Sequence, residues 1–82
     1  MKVDDPIHLG AKLRVLRLNA GWTLDKMALE LGRTEPSRRS RVHEWETDSR
    51  IPSIGVLIRY SKIFSISTDD LLNDEKGIDL TE

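Results

Sequence analysis

The chain has 82 residues, 38% of them hydrophobic and 33% charged, which is the size and balance of one soluble domain. It holds no cysteine, which excludes a disulfide-stapled scaffold, a thiolate zinc finger and a cysteine nucleophile. Its longest apolar runs, Val56-Leu57-Ile58 among them, are three residues, too short for a membrane span or a signal-peptide core, so the chain reads as cytoplasmic.

Asp5-Pro6 opens a first helix, with Asp5 as cap and Pro6 where its missing N–H costs nothing. Leu9, Leu13, Leu16 and Ala20 follow at helical spacing, and Gly21 ends it. Thr23 caps a short second helix whose apolar face is Met27, Ala28 and Leu31, with Gly32 as its stop. Residues 33–37 form a loop in which Pro36 holds Glu35 out of helix, and Ser37 is placed to cap the next helix.

A third helix begins at Arg38. Val42, Trp45 and the stem of Arg41 face inward, and Arg38, Arg39, Ser40, His43 and Glu44 form a polar remainder. Pro52-Ser53 starts a fourth helix with Ile54, Leu57, Tyr60, Ser61 and Phe64 as inner face; Ser65 follows where glycine would fit more easily. Ser67-Thr68-Asp69-Asp70 opens a short fifth helix carrying Leu71 and Leu72. The domain is expected over 1–73, with 74–82 a frayed tail. Five glycines, three prolines, 5% aromatics and no period-two alternation leave an all-α fold.

The formal net charge of −1 is unevenly spread. Residues 69–82 carry six acids and one base, whereas the rest of the chain has a net charge of +4. Within 33–41, Arg33, Arg38, Arg39 and Arg41 stand against Glu35 alone. Such a stretch is either a solvated helix end or an anion-binding face.

Several fragments then appear in a telling order: Leu13-Arg14-Val15-Leu16-Arg17, Gly21-Trp22-Thr23, Met27-Ala28-Leu29-Glu30-Leu31-Gly32, Ser40-Arg41-Val42-His43-Glu44-Trp45-Glu46, Arg50-Ile51-Pro52-Ser53 and Ile66-Ser67-Thr68-Asp69-Asp70-Leu71-Leu72. Together they resemble the XRE family, the Cro- and phage-repressor-like helix-turn-helix domains. The resemblance implies a five-helix, lambda-repressor-like domain. Its recognition helix, about 38–47, would lie in the major groove of double-stranded DNA. It also implies an ion pair between Arg17 and Glu46. The sequence departs from the pattern at Leu24, where glutamine is common, and at Asp48, where glycine is common. The stretch between Leu31-Gly32 and Ser40 is also about four residues longer than usual.

The resemblance places Arg39, Ser40 and Glu44 at base-reading positions, and Arg38 and Arg41 near phosphate. Thr23, Arg33 and His43 complete the expected DNA-binding set. Arginine's fork matches guanine O6 and N7, and a carboxylate accepts from cytosine N4; Glu44 could equally orient Arg39 or Arg41. His8 and His43 are the only histidines and have no zinc-ligand spacing. Trp22 and Trp45 read as core packing, and Asp69-Asp70 as helix capping. No motif points to an enzyme or a cofactor.

Val15, Leu18 and Leu29 fall outside the inner faces. One recognition helix reads few base pairs, so a homodimer on a palindromic operator is expected, with Leu71, Leu72, Ile78 and Leu80 as its natural surface. The rival reading is an antitoxin or other protein-interaction module of the same fold, which binds a partner protein as well as its operator.

Overall fold

The structure is a computed structural model that describes residues 9–73. The first-helix start at Asp5-Pro6, His8, Ile78, Leu80 and the tail 74–82 lie outside the described residues. Five helices run in order: α1 Leu9–Asn19, α2 Leu24–Glu30, α3 Arg38–Glu46, α4 Ile54–Phe64 and α5 Thr68–Leu72. There is no strand among the described residues.

Local chemistry sets most boundaries. The side chains of Thr23, Ser53 and Ser67 accept from the backbone N–H of Lys26, Val56 and Asp70, capping α2, α4 and α5. Gly21 and Gly32 follow α1 and α2 with φ of 77° and 81°. Ser65 adopts φ 55° at the end of α4, a left-handed conformation that costs serine more than glycine.

Ser37 departs from expectation: its side chain makes no capping hydrogen bond, because its backbone (φ −89°, ψ 12°) is not extended. The chain enters α3 through a turn instead, with Arg38 N donating to Glu35 O at 3.1 Å.

The core gathers Leu9, Leu13 and Leu16 of α1, Met27 and Ala28 of α2, Val42 and Trp45 of α3, Val56, Leu57 and Tyr60 of α4, and Leu71 of α5. Leu31 joins it, and Trp22 and Phe64 pack at its edge with ring centroids 5.6 Å apart. Val15, Leu18 and Leu29 are exposed.

Two expectations need correction. Ile54 is 66% exposed, and Val56 takes the inward place. The buried arc of α4 centres on Tyr60, and Ile54, six residues away, lies about 120° around the helix from it. Leu71 is fully buried, so it belongs to the core and not to a dimer surface. Only one face of a five-residue helix can reach the core, and Leu71 fills it.

Three polar contacts lock the helices together. Arg17 donates through Nε and Nη2 to the two carboxylate oxygens of Glu46 at 2.7 and 3.1 Å, and through Nη1 to Trp22 O at 2.9 Å. Gly10 N donates to Asp48 Oδ1 at 3.0 Å, and a Cβ at Gly10 would lie 2.6 Å from Glu46 O. Only glycine allows α1 this close to the end of α3. Asp48 itself has φ 62°, which aspartate tolerates better than most residues, and its carboxylate closes the contact. The buried Lys12 donates through Nζ to the carbonyls of Asp70, Leu71 and Asn73, holding the end of α5 against α1. The termini of a short helix leave such carbonyls in need of donors.

Tyr60, the only tyrosine, is buried in the core, and its hydroxyl has no hydrogen-bond partner among the described residues. Burial and then the charge of Glu46 raise its pKa well above the ordinary value, while Arg17 opposes them. Below pH 10 both folded and unfolded chains keep the phenol proton, and this contribution to stability is intact. As the pH rises above 10, the unfolded chain sheds the proton while the fold must retain it, so stability is lost. In an alkaline titration, tyrosinate absorbance should therefore rise together with loss of the helical signal, and Tyr60→Phe should move unfolding to higher pH. A phenolate formed near pH 10 with the helices intact would contradict this.

Candidate nucleic-acid interface

The orientation of α3 follows from its two inward anchors. Val42 is fully buried and Trp45 is 3% exposed. At about 100° per residue, the arc opposite them holds positions 39, 40, 43 and 44. Arg39, Ser40, His43 and Glu44 do line one open depression of about 470 Å³, together with Leu24 and Pro36. Leu24 comes from the start of α2, and Pro36 from the loop of residues 31–37 that joins α2 to α3.

The four arginines of residues 33–41 have separate fates. Arg38 Nε donates to Asp25 Oδ1 at 2.9 Å, and Nη1 reaches the carbonyls of Thr34 and Glu35 at 3.4 Å. It braces the loop against α2. Arg33 pairs with Glu35 at 2.7 Å and lies 5.5 Å from the centre of the Trp45 ring. That pairing, led by the Arg33 hydrogen bond, holds the Glu35 carboxyl below its usual pKa.

Arg41 pairs with Glu44 one turn on, at 3.4 Å. The Arg39 side chain lines the depression and has no ion pair or hydrogen bond among the described residues, so its donors are uncommitted.

Glu44 is a shared acceptor. Its Oε1 accepts a hydrogen bond from Arg50 Nε at 3.1 Å and forms an ion pair with Arg41 Nε at 3.4 Å. Both arginines are thus drawn toward the rim of the same surface. The Thr23 hydroxyl is exposed and occupied as the cap of α2.

The expected residues therefore fall into two groups. Arg39, Ser40, His43 and Glu44 share one surface; Thr23, Arg33, Arg38 and Arg41 do not line it. Sequence reasoning missed Arg50 and Asp25 as partners. The pattern Glu44 to Arg50 spans the end of a helix, where no fixed spacing signals a contact. Asp25 and Arg38 are 13 residues apart and meet only because α2 packs on α3.

Among the described residues no group of three or more histidines or acids is arranged to hold a metal, and no helix is long and apolar enough to cross a membrane. Neither a curated protein nor a solved structure matches the chain. Among protein families, the helix-turn-helix domain matches residues 10–77, which takes in all five helices except the first residue of α1. With five helices in the expected order, and a polar, arginine-bearing third helix turned outward by Val42 and Trp45, the chain belongs to the XRE-like helix-turn-helix family.

Proposed function

We propose that the protein is a sequence-specific double-stranded DNA-binding regulator of transcription, of bacterial or phage type, that lays α3 in the major groove. The observation that carries this reading is the outward arc of Arg39, Ser40, His43 and Glu44, held opposite the buried Val42 and Trp45. The groove is about 12 Å wide and admits one helix.

In this reading Arg39 reads guanine through its bidentate fork, and Glu44 accepts from cytosine N4 while keeping Arg41 and Arg50 at the rim. Ser40 and His43 lie between them. Arg33, Arg38, Arg41 and Thr23 serve the phosphates on either side. One helix reads only a few base pairs, so the protein works as a homodimer on a palindromic operator with half-sites about 34 Å apart, or a multiple of that. This is a binding protein of the cytoplasm and not a catalyst.

Selection from random duplex DNA with the purified protein tests the reading. The expected product is a short motif repeated as a palindrome. Recovery of DNA with no sequence enrichment would overturn it.

A further inference from the structure

The depression on the outer side of α3 has an apolar end as well as a polar lining. Leu24 and Pro36 are the two apolar residues on its wall, beside Arg39, Ser40, His43 and Glu44. Asp25 meets Arg38 at 2.9 Å, so the start of α2, with Leu24, lies beside the start of α3. Pro36 precedes α3 by two residues and belongs to that same end. Glu44 stands about 7 Å further along the helix than Arg39, toward the other end.

Packing of the core leaves both apolar residues with surface to spare. Leu24 packs at the core's edge but is only partly buried, and Pro36 is exposed. Both are held firmly. Leu24 is the first residue of α2, whose cap Thr23 accepts from Lys26 N at 3.1 Å, and the ring of Pro36 fixes its own φ. Groups already fixed in this way lose little freedom when they are covered.

We propose that Leu24 and Pro36 form a subsite for the 5-methyl group of a thymine. The proposal rests on the DNA-binding reading of α3 and adds one base to those it reads. Base edges in the major groove offer hydrogen-bond donors and acceptors, and the thymine methyl is the one apolar group among them. An arginine fork or a carboxylate gains nothing from a methyl, whereas an apolar wall does. Against a thymine, Leu24, Pro36 and the methyl leave water together. Against a cytosine, the same wall covers the N4 donor, and against a purine the N7 acceptor. Neither side chain can pair with those groups, and a covered polar group without a partner is costly. Because the apolar end lies at the start of α3, the thymine stands beside the guanine read by Arg39, on the side away from the base read by Glu44.

Uracil differs from thymine only in lacking this methyl. Each thymine of the duplex motif selected by the protein is replaced in turn by deoxyuridine, and affinity is measured for the wild-type chain, Leu24→Ala and Pro36→Ala. At the position beside the guanine whose readout Arg39→Ala removes, the wild-type chain should bind the uracil duplex about fourfold more weakly, the worth of one buried methyl. Leu24→Ala should bind the two duplexes equally, and Pro36→Ala should show a smaller ratio than the wild type. Each ratio compares two duplexes on one preparation, so a partly unfolded fraction cancels.

The proposal is overturned if the wild-type chain tolerates deoxyuridine at every thymine, or if the motif has no thymine beside that guanine. It is also overturned if folded Leu24→Ala keeps the full ratio, which would assign the methyl to another side chain. Should Leu24→Ala not fold, an undiminished ratio in Pro36→Ala overturns it instead. Failure to bind any duplex would bring down the DNA-binding reading and this subsite with it, whereas failure of the deoxyuridine ratios alone leaves that reading standing.

Discussion

Glu46→Ala should lower the unfolding free energy by about 3–5 kcal/mol, because it leaves the Arg17 guanidinium buried without its partner. The Glu46 side chain is 2% exposed and that of Arg17 10%, so water cannot replace the lost contact without opening the domain. The bond is two-pronged, at 2.7 and 3.1 Å, and Arg17 also holds Trp22 O. In a domain this small that loss is a large share of the whole stability.

Thermal unfolding should show a drop in Tm of at least about 12 °C. Replacing both partners, Arg17→Met with Glu46→Leu, should recover much of the loss, since an apolar pair of similar volume leaves no buried charge behind. A Tm unchanged by Glu46→Ala would mean that the pair contributes geometry alone. The pair ties α1 to the last turn of α3, so DNA binding by Glu46→Ala should fall together with folding and not independently of it.

Arg39→Ala should change which sequence the protein selects, whereas Arg38→Ala should mainly change how tightly it binds all of them. Arg39 lines the depression with no ion pair among the described residues, free to donate both arms of its fork to guanine. Loss of such a contact costs about 1–3 kcal/mol and relaxes one position of the motif.

Arg38 bonds through Nε and Nη1 to Asp25 and the loop before α3, and in the proposed reading its remaining arm meets a phosphate. Its removal should weaken every sequence alike and flatten the salt dependence by about one unit. Selection with each variant, and affinities over a range of salt, separate the two. A motif altered by Arg38→Ala and left intact by Arg39→Ala would shift the reading arc by one residue along α3.

Much of the architecture was legible because its causes are local. Thr23, Ser53 and Ser67 bond to backbone three residues ahead, and the leucine spacing of α1 names its own buried face. The exposed Val15, Leu18 and Leu29 were legible for the same reason. The Arg17–Glu46 pair is not local, and only the family resemblance pointed to it. Ser37 misled because a cap needs extended backbone, and the long loop bends there into a turn.

By itself, then, the sequence determined five helices, the two anchors of α3 and hence which of its residues look outward. Each of these depends on side-chain spacing within a few turns. The tertiary structure decided how the charges are spent. Arg38 meets Asp25 across α2 and α3, Arg33 settles over Trp45, and Glu44 takes both Arg41 and Arg50. It likewise decided that Lys12 caps α5 from 58 residues away, and that Ile54 is left in solvent. An ion pair or an exposed face depends on which elements come within a few ångströms of each other. Here packing of the whole core settles that, and no local periodicity encodes it.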